Sequence, residues 1–290
     1  MQTPILDPDS VSVFLHIMKQ SQIIAAFTLY LQKEGLSANT LHSYISTIEY
    51  YLSRYPFPPS DQDLLAYKGY LLTRYKPKTV NLRIQALNRF LDFENLSSMR
   101  IKSIKLQEKT FLENVISDAD YRFFKKRLFA DHNEDLAMAV WFLGATGARV
   151  SELLQFKAEH VQCGYIDLTT KGGKLRRIFI PQHLAREAAS WLDRRHITSG
   201  YIFLNRQNQR ITARGLSEKL RYAARKYHLN VKHVHPHSFR HRFAKNFLEK
   251  YLDIALLADL MGHESIETTR IYLRRTSTEQ QTLVNQIVDW

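Results

Sequence analysis

Residues 165–180 read Tyr165-Ile166-Asp167-Leu168-Thr169-Thr170-Lys171-Gly172-Gly173-Lys174-Leu175-Arg176-Arg177-Ile178-Phe179-Ile180. Tyr165-Ile166-Asp167-Leu168 and Arg177-Ile178-Phe179-Ile180 follow a period of two, and Lys171-Gly172-Gly173-Lys174 between them supplies the glycines that a tight turn with positive φ requires. The spacing predicts a β-hairpin that projects a lysine-bearing turn. Elsewhere the apolar residues recur mostly at helical intervals, with Tyr201-Ile202-Phe203-Leu204 a further short strand candidate. The fold class that follows is mainly α with a small β-hairpin, and the hairpin lies in the second half of the chain.

On the N-terminal side, Ser37 is a candidate N-cap for a helix with Leu41, Tyr44, Ile45, Ile48, Tyr51 and Leu52 on one face, which Pro56-Phe57-Pro58-Pro59 ends. Ser60 and Asp63 have capping-box spacing for the next helix, through Leu64, Leu65, Tyr70 and Leu72. A third helix after Pro77 carries Val80, Ile84, Leu87 and Leu91 on one side. Lys76, Lys78, Arg83 and Arg89 lie around its start and other faces, as a solvated basic surface or as contacts to a polyanion. Between residues 97 and 113 the periodicity fails, and Arg100, Lys102, Lys105 and Lys109 are interleaved with short side chains. This reads as a basic linker, and it divides the chain into a helical domain at 1–98, a linker at 99–113 and a second domain at 114–290.

In that second domain, Ser117 and Asp120 start a helix, and the chain turns at Asp131-His132-Asn133-Glu134 before a strongly apolar helix. Helices resume at Gln182 after the hairpin. From Thr212, Leu216, Leu220, Ala223 and Tyr227 form one helical face, while Arg214, Arg221 and Arg225 share a second face at i, i+7 and i+11. That face is an ordinary solvated one, or it presents charge to a phosphate backbone or major groove. At the end, Ser277 and Gln280 have capping-box spacing, and Leu283, Val284, Ile287 and Val288 form a stripe to be buried on its own domain or on a neighbouring copy.

The composition narrows the class of partner. Lys and Arg number 41 against 28 Asp and Glu, giving +13 and a pI near 9.7, and 44% of residues are hydrophobic. Such a chain buries ordinary cores and is no disordered polycation. Residues 1–110 carry 13 basic and 9 acidic side chains and the remainder 28 and 19, so both parts favour a polyanion. Cys163 is the single cysteine, which excludes internal disulfides and multi-cysteine metal sites and fits a reducing compartment. The N-terminus has no secretory pattern, and the apolar run at 136–143 is far short of the ~20 residues needed to span a bilayer. A cytoplasmic, nucleoid-associated setting is expected.

Three stretches carry chemistry: Gly144-Ala145-Thr146-Gly147-Ala148-Arg149-Val150-Ser151-Glu152-Leu153, then His235-Pro236-His237-Ser238-Phe239-Arg240-His241, then Leu260-Met261-Gly262-His263 with Tyr272 nine residues on. Each is weak alone. In order, with the hairpin lysine between the first two, they resemble the tyrosine recombinase (integrase) family of DNA strand-exchange enzymes. The resemblance covers most of residues 117–275 and implies the catalytic domain of that family. The N-terminal helices look like its SAM-like core-binding domain, and the chain resembles the compact Xer-type members. Leu273-Arg274-Arg275 departs from relatives that carry a Thr-His pair after the tyrosine.

The chemistry agrees with the match. Attack of a tyrosine on a phosphodiester passes through a phosphorane whose non-bridging oxygens concentrate negative charge, and Arg149 and Arg240 each offer a planar fork that stays charged. A phenol near pKa ~10 also needs such charge to ionise. The resemblance implies Tyr272 as nucleophile, His263 as a further donor, His237 in proton transfer or phosphate binding, and Lys171 as general acid, with Lys174 its local competitor. Glu152, one turn from Arg149, is placed to orient it. Lys76, Lys78, Arg83, Lys174, Arg214, Arg221 and Arg225 are the candidate DNA contacts.

The resemblance further implies a 3′-phosphotyrosyl link that conserves bond energy, with neither cofactor nor metal. Partners are duplex recombination sites, a homotetramer or a heterotetramer with a related recombinase, and accessory DNA-bending proteins. Two alternatives stand beside it: a DNA-binding protein of the same fold without strand exchange, and a type IB topoisomerase-like relaxase. His233, His235, His237 and His241 crowd into nine positions, as zinc ligands do, but no cysteine or obvious carboxylate accompanies them.

Overall fold

The computed structural model describes residues 8–106, 114–169, 175–263, 265–273 and 277–288. The chain separates into two compact units, Met1–Glu108 and Lys109–Trp290.

The first unit holds α1 (Pro8–Lys33), α2 (Ala38–Leu52), α3 (Asp61–Arg74) and α4 (Pro77–Phe93), followed by a 3-10 turn at Ser97–Met99. The caps stand where their side chains place them. Ser37 Oγ accepts from Thr40 N, Ser60 and Asp63 form a reciprocal capping box, and Pro77 occupies the first turn of α4. Phe27, Ile48, Tyr51, Tyr67, Ile84, Leu87 and Phe90 are fully buried and form one core.

Residues 100–106 differ from a free linker. Asn88 exchanges two hydrogen bonds with the backbone of Ile101 (2.8 and 2.9 Å), and Asn81 exchanges two with Ile104 (both 2.9 Å). Seven residues of helix rise about 10.5 Å and three of extended chain about 10 Å, so the two asparagine amides stand in for a paired strand. Ile101 and Ile104 pack on the first core, and Lys68 Nζ holds the carbonyl of Lys102 at 2.8 Å.

The second unit runs α5 (Asp118–Ala130), α6 (Glu134–Thr146), α7 (Val150–Leu153), α8 (Ala158–Cys163), β1 (Tyr165–Thr169), β2 (Leu175–Phe179), α9 (Gln182–Arg194), α10 (Ala213–Lys226), α11 (Pro236–Lys250), α12 (Ile254–Met261) and α13 (Ile266–Arg270). A 3-10 turn at Ile271–Leu273 and α14 (Ser277–Ile287) follow. Beyond Glu134 and Asp135 in its first turn, helix α6 is apolar on every side and lies at the centre of the core, packed on α5, α9 and α11. Gly144 on it admits the Tyr121 ring, which a Cβ would meet at 2.8 Å.

The hairpin is antiparallel, from Tyr165 opposite Phe179 to Thr169 opposite Leu175. Ile166, Leu168, Arg176 and Ile178 face inward, and Arg177 grips Asp167 on the outer face with two bonds of 2.7–2.8 Å. Tyr201 and Leu204 form only isolated bridges, to Lys157 and Arg210, so the second strand candidate lacks a ladder. Val284 and Ile287 on α14, and Val288 just after it, are exposed. No helix among the described residues is long and apolar enough to cross a membrane.

Candidate active site

The site is assembled where three helix ends meet. Helix α6 ends at Gly147, which adopts φ 63° and would drive a Cβ into the Phe243 ring at 2.4 Å. The chain then extends, so that Arg149 becomes the N-cap of α7. Glu152 at N3 reaches back: its Oε2 accepts from Arg149 N (2.7 Å) and its Oε1 from Arg149 Nη1 (2.8 Å). One carboxylate thereby fixes both the backbone and the side chain of that arginine.

Helix α11 starts at Pro236, with His235 as N-cap accepting from Ser238 N at 3.2 Å. His235 is therefore a capping residue. Ser238 is fully buried and accepts the Ile116 amide at 2.7 Å, tying the start of the unit to this helix. Arg240, 1% exposed, donates Nη1 to the Gly147 carbonyl (2.6 Å) and Nη2 to the Met261 carbonyl (2.7 Å). Burial and the charges of Arg149 and Arg176 bring its pKa down to about 10, which leaves it cationic at neutral pH.

The third element is the end of α12. Gly262 closes it at φ 60°, and the Gly262 and His263 amides return to Asp259 and Ala258. The next three carbonyls have no helical partner, and three arginines take them in order. Arg176 holds Leu260 (2.9 Å from Nη2), Arg240 holds Met261, and Arg149 holds Gly262 (3.3 Å). His263 Nε2 lies 2.9 Å from Arg240 Nη2 and its Nδ1 lies 2.7 Å from Thr269 Oγ1. Arginine only donates, so Nε2 accepts and the ring carries its proton on Nδ1. Burial and the Arg240 charge hold this imidazole near pKa 4, in agreement with a neutral ring.

Tyr272 lies in the 3-10 turn after α13, 5% exposed, stacked on His263 (6.1 Å between centroids) and tilted against His241 (5.3 Å). Burial raises its pKa, and the positive charge of Arg240 and Arg149 opposes that rise. His237 stands 4.6 Å from His241, at the exposed edge of the site. Its pKa is lowered by desolvation and by Arg240.

Arg149, Glu152, His237, Arg240, His263 and Tyr272 are thus brought together. Lys171 and Lys174 lie outside the described residues. Arg214, Arg221 and Arg225 form the exposed face of α10, with Arg221 paired to Glu218. In the first unit, Lys76 and Lys78 are exposed, while Arg83 is half-buried with its guanidinium 4.3 Å over the Tyr75 ring. Among the described residues no group of three or more His, Cys, Asp or Glu is placed to hold a metal ion.

The reading of the motifs missed Arg176 and Thr269, and it placed His241 in the second stretch without giving it a role. Arg176 is 5% exposed and paired to the same Glu152 oxygen that Arg149 uses. Its signal lay in the hairpin period, because position 176 falls in the inward phase with Ile178. The Glu152 carboxyl itself is pushed up by burial but pulled further down by Arg176 and the bonds from Arg149, and it stays ionised.

The sequence pattern of the phage integrase family matches residues 121–279, more than half of the chain. The chain belongs to that family. It is a tyrosine recombinase, an enzyme of DNA strand breakage and rejoining. It is 31% identical to tyrosine recombinase XerA of Pyrococcus furiosus over 89% of this chain and 91% of that protein. Against tyrosine recombinase XerD of Listeria innocua it is 26% identical over 96% and 98%. Its fold matches the XerH recombinase bound to a palindromic difH substrate with a TM-score of 0.67, at 17% identity over 99% of this chain and 90% of that one. Phage integrase membership gives the arginine and histidine cluster around Tyr272 a chemical context that geometry alone would leave open.

Proposed function

We propose that this tyrosine recombinase cleaves duplex recombination sites with Tyr272 as nucleophile and Arg149 and Arg240 as the clamp on the scissile phosphate. The stacking of His263 on the Tyr272 ring, with the positive charge of Arg240 and Arg149 acting on its phenol, carries the reading. Attack of Tyr272 Oη forms an O–P bond as the P–O5′ bond breaks, leaving a 3′-phosphotyrosyl link and a free 5′ hydroxyl. Lys171 supplies the proton to that leaving oxygen, and His237 assists transfer of the phenolic proton. The 5′ hydroxyl of a partner strand then reverses the step, and two rounds pass through a Holliday junction. No energy source is needed, because the phosphodiester energy is kept in the link. His263 accepts from Arg240 in this arrangement, so donation to phosphate oxygen requires its Nε2 to gain a proton or the tautomer to change.

Several chains assemble on two sites, and the grip on DNA comes from the basic residues of both units. The exposed stripe of Val284, Ile287 and Val288 supports docking of α14 on a neighbouring copy, contact that a chain ended at Thr276 loses. The XerH and lambda integrase relatives are solved on DNA sites, which supports the choice of partner.

Incubation with a nicked suicide site in EDTA tests the assignment. A covalent protein–DNA adduct is expected, and Tyr272→Phe is expected to form none. An absent adduct on bound DNA would make the chain a DNA-binding protein of this fold. Relaxation of a plasmid without recombinant products would make it a relaxase.

A further inference from the structure

Arg176 is the arginine of the site that the phosphate chemistry does not use. Its side chain is 4% exposed, and all three of its guanidinium nitrogens already hold protein acceptors. It joins three pieces of the second unit. The hairpin carries it, its Nη1 pairs with Glu152, and its Nε and Nη2 both bond the Leu260 carbonyl at the end of α12 (3.3 and 2.9 Å). Glu152 in turn holds Arg149, and the end of α12 leads in three residues to His263.

The Arg176 side chain packs on the end of α12. It passes over Gly262, where a Cβ would sit 2.3 Å from Arg176 Cδ. The turn before His263 is therefore shaped around the arginine. Charge acts in the same sense. Glu152 bound to Arg149 alone would draw that guanidinium inward, whereas sharing Oε1 with Arg176 divides the carboxylate between two partners and leaves Arg149, 39% exposed at its side chain, facing outward.

We infer that Arg176 is a positioning residue for strand cleavage, which sets Arg149 through Glu152 and sets His263 through the Leu260 carbonyl. This rests on the reading of Arg149, His263 and Tyr272 given above. Only a planar fork spans both partners; a lysine keeps the charge but satisfies one of them at a time. Arg176→Lys should therefore fold and bind DNA yet cleave slowly, since misplacing reacting groups by about 1 Å costs up to about 100-fold.

The test compares the full-length protein with Arg176→Lys on a suicide site. Gel shift gives affinity, and adduct formation at saturating protein gives the first-order cleavage rate. Affinity within about twofold and a rate lowered about 30-fold are expected, within the range that misplacement produces. A parallel site with sulfur in place of the bridging 5′ oxygen releases a thiolate that needs no general acid. It should restore Lys171→Ala and leave Arg176→Lys slow, because the defect lies in the phosphate clamp.

An unchanged rate overturns the inference. Rescue by the sulfur leaving group overturns it too, by placing Arg176 in support of the hairpin lysine alone. Loss of DNA binding together with loss of the cooperative thermal transition makes Arg176 a folding residue and nothing more. If the unmodified protein forms no adduct, the nucleophile assignment fails; if it does and Arg176→Lys matches it, only this inference fails.

Discussion

Helices α10 and α11 are of similar length and both carry arginines, but they place them in opposite surroundings. On α10, Leu216, Leu220, Ala223 and Ala224 are buried while Arg214, Arg221 and Arg225 point to solvent. On α11, Arg240 is buried on the same side as Ala244 and Leu248, at i, i+4 and i+8. The first helix obeys its hydrophobic period. The second breaks it by putting a guanidinium where the period asks for an apolar residue, and Arg176 does the same on the inward phase of β2. Buried guanidiniums survive because each finds a carbonyl or carboxylate, and they mark the site because such desolvation is stabilised only where it serves something else. The arginines of α10, by contrast, keep their guanidiniums at the solvent-facing surface, Arg221 beside Glu218.

The strongest way to break this contrast is Arg240→Ala. It orphans the carbonyls of Gly147 and Met261 and removes the donor to His263. Stability should fall by about 2–4 kcal/mol, the order expected for buried groups left without partners. Cleavage should fall by about 10³, comparable to removing one oxyanion donor. Urea denaturation and single-turnover adduct formation measure the two effects. A variant that loses activity with no change in stability would show that the buried bonds contribute nothing to the fold.

Acid sharpens the same contrast. Burial and neighbouring positive charge hold His241 and His263 near pKa 4, against an ordinary value of 6.5. Between these values the unfolded chain binds protons that the folded chain refuses, so stability is full above about 6.5 and declines as pH falls toward 4. Glu152, with its pKa lowered, adds to the loss only at lower pH, as its carboxylate protonates. The denaturation midpoint should therefore drop by an amount worth a few kcal/mol between pH 7 and 4.5. His241→Leu should flatten the slope, since the buried Nδ1 of His241 has no hydrogen-bond partner to lose among the described residues. An equal slope in that variant would show that His241 does not titrate in this window.

Much of this was legible in the residues. Ser60 with Asp63, Ser117 with Asp120, and Pro77 placed helix starts, and the alternation around Lys171-Gly172-Gly173-Lys174 placed the hairpin. The three motif stretches named six of the residues that now converge. What could not be read was tertiary in origin. Asn81 and Asn88 look like polar surface until Ile101 and Ile104 are laid beside them, and residues 100–106 look unstructured because their backbone bonds go to side chains. The pairing of Leu260, Met261 and Gly262 with three arginines from three separate elements has no signature in any one of them. Position 176 did carry a signal, an arginine in phase with isoleucines, and it was overshadowed by the glycine turn beside it.

The smallest expected effect completes the comparison. Arg214 on α10 is exposed, and no carbonyl or carboxylate fixes its guanidinium among the described bonds and ion pairs. Arg214→Ala should change stability by less than about 0.5 kcal/mol. If it contacts a phosphate, removing it frees one counterion fewer, so the slope of log affinity against log salt should become shallower by about 1. The cleavage rate at saturating DNA should stay as it was, because the group lies outside the set proposed to do the chemistry. Should Arg214→Ala instead slow cleavage of bound DNA as Arg240→Ala does, the division between a buried chemical set and a solvated gripping set would fail, and α10 would have to be counted within the active site.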